Sequence, residues 1–480
     1  MKTPRATGEH TMEAQRRIPK IREASGFNAV ISENWGPLDR TPTLVPGTAE
    51  AAQAHRERFL AAVDRPGDGV FVIGSGLPSV RNDDNDHAFR ASSTFLWFTG
   101  MGIDESFLVL TDTSSTLYTQ RPAGPGDPDF FGNAAYGELW VGAMTGPADW
   151  SAALGIDVRP LSELDDDLTT LGGPFRGLGR IPDALAHRFD IRADADARRV
   201  ADRLRQIKDA WEIDQMRAAV SATVLGFEQT VGQIATAKTM DRGERWLQGT
   251  FDRAARTYGV DVGYATIVAA AGHAAHLHWT RNDGPVRDGD LALLDMGIEM
   301  ESRYTADVTR TIPVSGTFTD AQRAVYDIVV ASQRAGLAVC TPGHRYSDFH
   351  FASMQVLAEG LDDLGLLPVS VDEALSADGQ HHRRYIVCGV GHHLGLDVHD
   401  CSHSPYEDYQ DAMLEPGMVH TLEPGLYFHV NDLSVPPEFR GIGVRIEDDL
   451  VITADGHENL SADLMPFGTD EIEAWTQARL

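Results

Sequence analysis

Apolar positions in this chain follow two regimes, and the change between them divides it. From 48 to 63 an Ala-rich stretch predicts a helix, and PGDGVFVIGSG (66–76) reads as turn, buried strand, turn. Short apolar runs predict further strands at FLWFTG (95–100), SFLVLTD (106–112) and around 139–141. Helical patterns lie between them, near 147–154 and 161–171. Strands alternating with helices predict an N-terminal α/β domain over 48–200. Residues 1–47 are polar, carry no sustained period and predict a loosely ordered arm.

The second regime begins with a charge-rich, then Ala-rich stretch, 201–223, which predicts one long connecting helix. A helix near 241–258 and a strand around 264–270 follow. DLALLDMGI and SRYTADVTRTIPVSG predict two paired strands, with MESR between them closing a hairpin. Helices over 319–340 and 346–364 precede three strand segments, YIVCGVGH, MVHTLEPGLYF and GIGVRIEDDLVIT. Residues 201–480 therefore predict an α+β domain, an antiparallel sheet with helices on one face. No repeat of 20–50 residues is present.

Length and charge narrow the picture. The chain has 480 residues, enough for two or three domains. Its formal charge is −30, from 41 Lys plus Arg against 71 Asp plus Glu, and such a surface repels phosphate backbones, so no nucleic-acid partner is expected. Cys340, Cys388 and Cys401 form no C-x-x-C pair and cannot build a disulfide framework, which points to a reducing compartment. No apolar run is long enough to span a membrane, and the basic N-terminus lacks the apolar core of a secretory signal. A soluble cytoplasmic protein is the expectation.

Candidate chemistry lies in the second half. P-loop, zincin and nucleophile-elbow motifs are absent. What remains is a set of carboxylates and histidines on apolar strands. Asp295 ends the run LALLD, where an ionised carboxylate is destabilising unless paired or metal-bound, although an Asp starting a turn reads the same way. In RYTADVTRT, period two places Thr305, Asp307 and Thr309 on one face. Two acids on adjacent strands would converge, and their repulsion calls for a cation. HHLGLDVHD (392–400) offers His392 and His399, with His393 and Asp400 as competitors that pattern cannot separate. The doubled LEPG offers two turn glutamates, of which Glu423, after the apolar MVHTL, reads as the buried one. In GVRIEDD, Arg445 and Glu447 share a face, as a surface pair would. HAAHLHW adds His273, His276 and His278. One imidazole with four carboxylates is a hard, oxygen-rich set that suits Mn²⁺ over structural zinc, and four carboxylates suit two ions better than one.

These segments carry a family resemblance. LHWTRND, DGDLALLDMG, YTADVTRTIPVSGTFTDAQR, GHHLGLDVHD, LEPGMVHTLEPGLYF and RGIGVRIEDDLVIT resemble the pita-bread metallopeptidases, most closely the Xaa-Pro aminopeptidases (aminopeptidase P). FRASSTFLWFTG is similar to that family's N-terminal domain, and the likeness covers about residues 50–475. It implies a catalytic domain with internal pseudo-twofold symmetry and a dinuclear Mn²⁺ site. Asp295 would bind one ion, His392 and Glu423 the other, and Asp307 and Glu447 would bridge. His278 and His399 would position substrate and stabilise the tetrahedral intermediate, Glu423 would carry a proton to the leaving nitrogen, and Arg445 would orient Glu447. The substrate would be a peptide with proline second, and the assembly a homodimer or homotetramer.

The sequence also departs from the family pattern. Cys388 stands four residues before His392, where related enzymes often carry another His. DYQDAMLEPGM lacks the Arg that dipeptide-gripping relatives place just before that motif. A prolidase restricted to Xaa-Pro dipeptides is the rival reading, and a metal-free binding module of the same fold a more distant one.

Overall fold

The computed structural model describes residues 24–64 and 69–480. The first 23 residues of the polar arm and the turn at 66–68 lie outside them. The described chain separates into two compact units. One holds the residues up to Thr43, those from 69 to 95, and Gly102–Ala193. The other holds Leu44–Asp64, Leu96–Met101 and Asp194–Leu480, so the helix Thr48–Ala62 belongs with the second unit.

The first unit is built on a six-stranded mixed sheet. Its order is Asp157–Pro160, Ser115–Thr119, Phe107–Leu110, Val70–Gly74, Phe175–Gly179, Ile191–Ala193. Val70–Gly74 is buried along its whole length and pairs antiparallel with one neighbour and parallel with the other. Val72, Val109, Phe175 and Ile191 pack with Leu164, Leu168 and Leu185 of the helices to form its core.

Two segments expected as strands are helical. FLWFT lies within the helix Ser93–Thr99, with Gly100 just past its end, and 139–141 lies within the short helix Glu138–Val141. A continuous apolar run fits a buried helix as well as a strand. Capping decides the first: Ser92 Oγ accepts the Phe95 N–H at 3.3 Å.

The second unit uses the order helix, helix, antiparallel strands twice. Ala210–Val231 and Gly243–Tyr258 precede a three-stranded sheet of Ile267–Ala270, Leu291–Met296 and Val308–Pro313. Asp320–Leu337 and Tyr346–Asp363 precede a second, of Val419–Leu422, Asp448–Ile452 and His457–Asn459, with Gly425–Tyr427 and Gly443–Arg445 paired beside it. An antiparallel bridge between Thr309 and Glu447 joins the two systems. The hairpin closed by MESR is present, with Asp295 opposite Thr309. Gly297 lets it close, since a Cβ there would meet the Ala306 carbonyl oxygen at 1.8 Å.

Two further expectations need correction. The stretch 201–223 is not one helix: Ala195–Gln206 ends at Ile207, and Ala210–Val231 starts anew. Asp209 and Glu212 form a reciprocal capping box at that start, and Lys208 N donates to the Gly417 carbonyl at 2.8 Å. The D-x-x-E spacing was the signal. YIVCGVGH is irregular backbone instead of a strand. It runs beside the 421–427 segment through Glu423 N to Val390 O (3.0 Å) and Thr421 N to His392 O (2.8 Å). A Cβ on its Gly391 would sit 2.4 Å from the Thr421 oxygen, so an ordinary residue is excluded.

The capping box also receives a buried histidine. His55 Nδ1 lies 2.8 Å from Trp97 O, and Nε2 lies 3.0 Å from Asp209 Oδ2 and 3.5 Å from Glu212 Oε2. The other Glu212 oxygen accepts from Trp97 Nε1 (3.2 Å) and Tyr304 Oη (2.6 Å). Both His55 nitrogens face acceptors, so the ring is an imidazolium. These three residues offer ligand atoms within 4.8 Å of one another, yet an imidazole donating from both nitrogens has no lone pair for a metal. Burial opposes the charge, but the Asp209 and Glu212 carboxylates outweigh it and hold the His55 pKa up at about 9, against an ordinary 6.5.

A group with a raised folded pKa stabilises fully below its ordinary value, and that contribution fades as pH climbs through the folded one. His55→Gln should therefore lower the melting midpoint at pH 6 by on the order of 5 °C, as loss of one partner of a buried ion pair does. The gap to wild type should narrow as pH rises through about 9. Melting curves at several pH values check this, and a gap independent of pH would contradict it.

Candidate active site

A cavity of about 640 Å³ opens in the second unit, and the sequence-predicted residues Asp295, Asp307, His392, Glu423 and Glu447 all line it, with His278, His399 and Arg445. Each arrives by a simple local rule. Asp295 points in from a fully buried strand, Leu291–Met296. Asp307 stands just before Val308–Pro313, across the hairpin. Glu423 follows Val419–Leu422, where the Glu-Pro-Gly turn begins. Arg445 and Glu447 alternate with Val444 and Ile446, which point into the core.

The groups are close. His392 Nε2 lies 3.3 Å from Asp307 Oδ2 and 3.7 Å from Glu423 Oε1. Asp307, His392 and Glu447 offer ligand atoms within 4.8 Å of one another. Asp307 N donates to Asp449 Oδ2 at 3.1 Å, and Tyr264 Oη to Asp295 Oδ1 at 2.6 Å. The His399 ring stands 4.4 Å from that of His392.

Burial and mutual repulsion dominate the electrostatics. Burial, then Asp307, Glu423 and Asp295, push the Glu447 carboxyl well above its usual range. Glu423 is raised to about 7 by burial, with His392 and Arg445 opposing and Asp307 and Asp295 adding. Arg445 is the only guanidinium among the described residues lining the cavity. One guanidinium and one imidazole do not balance four converging carboxylates. The donor set, four carboxylates and an imidazole around a chamber, fits hard divalent ions.

The structure also separates the competitors. His393 is fully buried and stacks on Tyr346, away from the cavity. Asp400 is held by Arg205 and by Lys208 Nζ, the latter at 2.9 Å. Glu415, of the first LEPG, pairs with Arg203 near the surface. His273 bonds Glu244 at 2.7 Å, and His276 meets His429 at 3.0 Å, so neither joins the site. Cys388 lines the cavity, and burial pushes its thiol up to about 11.

Arg445 makes no hydrogen bond to Glu447, although its charge acts on that carboxylate. Its guanidinium grips Asp295, donates from Nη1 to Tyr427 Oη (2.9 Å) and from Nε to Thr309 Oγ1 (3.2 Å). Two neighbours escaped the sequence reading. Tyr264 gives no signal in its segment, and Asp449 hides in the acidic run EDD. Thr309 was legible as a position on the Asp307 face, but not as a partner.

The profile of "Metallopeptidase family M24" matches residues 214–454, and that of "Aminopeptidase P, N-terminal domain" matches 52–174. Xaa-Pro aminopeptidase 2 of Streptomyces coelicolor is 44% identical over 457 residues, 94% of this chain and 95% of that one. Xaa-Pro aminopeptidase of Escherichia coli is 33% identical, over 87% and 96%. A structure of E. coli aminopeptidase P in complex with substrate superposes with a TM-score of 0.78 at 31% identity, covering 91% of this chain and 99% of that one. With both domains matched in order along its length, the chain belongs to the M24 metallopeptidases, in the aminopeptidase P group with the pita-bread catalytic domain.

Proposed function

We propose that the protein is a metal-dependent Xaa-Pro aminopeptidase, hydrolysing the bond between an N-terminal residue and a following proline. The observation that carries this is the convergence of Asp295, Asp307, His392, Glu423 and Glu447 on one chamber, in a chain with both domains of that family.

In this reading Asp295 would hold one ion, His392 and Glu423 would hold the other, and Asp307 and Glu447 would serve both. Two Mn²⁺ ions suit the oxygen-rich set. When bound, they supply a nucleophilic water at neutral pH and polarise the scissile carbonyl. The chain's own residues do the rest. Arg445 and Tyr264 fix the Asp295 carboxylate. His278 and His399, on the cavity wall, donate to the carbonyl oxygen as charge develops there. Glu423 passes a proton to the leaving imino nitrogen. A prolyl nitrogen has no hydrogen to recognise, so ring shape must select it. The neutral Cys388 belongs to that wall.

A reducing cytoplasm suits the three free cysteines. No helix among the described residues is long and apolar enough to cross a membrane. A homodimer or homotetramer formed through the N-terminal unit would cover the exposed Leu139, Trp140 and Val141.

His399→Ala should lower turnover by on the order of 10²–10⁴ while metal content stays at the wild-type level, as for a positioned donor. Activity and metal analysis on one preparation check this, and stoichiometric metal loss would make His399 a ligand.

Substrate length tests the activity itself. The cavity's one guanidinium already serves Asp295, and the stretch without Arg contributes Tyr409 and Gln410 to an adjoining chamber of about 410 Å³. A dipeptide would bring its carboxylate close to acidic groups without a cation, at a desolvation cost. Ala-Pro-Ala should be cleaved with higher kcat/KM than Ala-Pro. Clear preference for the dipeptide would make the protein a prolidase, and cleavage of neither would remove the proposed function.

A further inference from the structure

The side-chain hydrogen bond that Glu447 receives comes from Thr309 and not from Arg445. We propose that the Thr309 hydroxyl is a positioning group, orienting Glu447 toward the cavity and tying it to the Arg445–Asp295 pair. The inference rests on the reading of Glu447 as a bridging ligand.

Hydrogen-bond direction makes the argument. Thr309 is fully buried. A hydroxyl has one hydrogen and two lone pairs. Arg445 Nε, 3.2 Å away, can only donate, so it occupies a lone pair of Thr309 Oγ1. The single hydroxyl hydrogen then goes to Glu447 Oε2, at 2.6 Å. That bond favours a carboxylate oxygen that accepts, in one orientation, and leaves the other oxygen free for a cation. Asp295, Arg445, Thr309 and Glu447 thus form one chain of bonds with a fixed polarity.

The backbone makes Thr309 a firm support. It stands opposite Asp295 in the hairpin, and its carbonyl accepts the Glu447 N–H at 3.0 Å. Glu447 is therefore held by one residue at both main chain and side chain. On the other face of the strand, the fully buried Arg310 donates from Nη1 to Thr309 O (2.9 Å) and Glu447 O (2.7 Å), and from Nη2 to Asp448 Oδ1 (2.6 Å). The hydroxyl is the one part of this brace that reaches the carboxylate, and it can be removed without changing shape.

Thr309→Val deletes the hydroxyl and keeps the volume, and Thr309→Ser keeps the hydroxyl. Mn²⁺ is titrated calorimetrically into metal-stripped wild type and both variants, with kcat, KM and the melting midpoint of each metal-free protein. Groups that hydrogen-bond a metal ligand typically matter 10–100-fold for affinity or activity. Valine should weaken Mn²⁺ binding by about that factor and lower kcat, with KM changed by less than about twofold, as for an interaction specific to the reacting state. Serine should bind like wild type and keep the wild-type metal-free melting midpoint, whereas valine, which leaves Arg445 Nε without its acceptor, should lower that midpoint by on the order of a few degrees. Wild-type affinity in the valine variant, or equal losses in valine and serine, would overturn the proposal. If valine does not fold, Thr309→Ala makes the same deletion and is judged by the same outcomes. Glu447→Gln tests the ligand reading separately: if it binds both ions normally, that reading falls and this one with it.

Discussion

Four carboxylates and one imidazole converge on one chamber, and that crowding of negative charge is the constraint on which the second unit is organised. Asp295, Asp307 and Glu447 are largely removed from water, and Glu423 is close by. Repulsion at these separations is not screened as it would be at the surface. A fold that carries such a set must brace each member and supply positive charge. Divalent ions meet the second need, and the strands meet the first.

The bracing is made of short, local elements. Two antiparallel systems meet at the Thr309–Glu447 bridge, so carboxylates distant in sequence become neighbours. Thr309 and Thr311 take polar contacts on one face of their strand, and Val308 and Ile312 are buried on the other. Thr311 Oγ1 donates to Arg445 O at 3.0 Å, and Arg310 closes the opposite side with Asp448. The buried imidazolium of His55 is a second, independent brace. Through Glu212 it reaches Tyr304, three residues before Asp307.

Much of this was legible in the sequence, and the losses have physical causes. The apolar run of LALLDMG and the alternation in YTADVTRT are strong signals, and those strands and their hairpin are present. FLWFTG was misread because an apolar run without period fits either element, and only its serine cap distinguishes them. YIVCGVGH is irregular where its Gly391 lets the backbone approach Thr421 more closely than an ordinary residue could. At the site, residue type and position nominated the four carboxylates and Arg445, and the family resemblance selected His278, His392 and His399 from their neighbouring histidines. Pattern could not choose between His392 and His393, which differ only in which side of an irregular segment each ring takes. It also could not show that Arg445 turns toward Asp295, which lies on another strand 150 residues away in sequence.

The central claim is that these carboxylates are assembled to hold two metal ions. Anomalous X-ray scattering from crystals of the Mn²⁺-loaded protein tests it most directly. Two manganese peaks should appear in the chamber, one beside Asp295 and one beside His392 and Glu423, with Asp307 and Glu447 between them. A chamber with no anomalous peak, or peaks only at other carboxylates, would contradict the account.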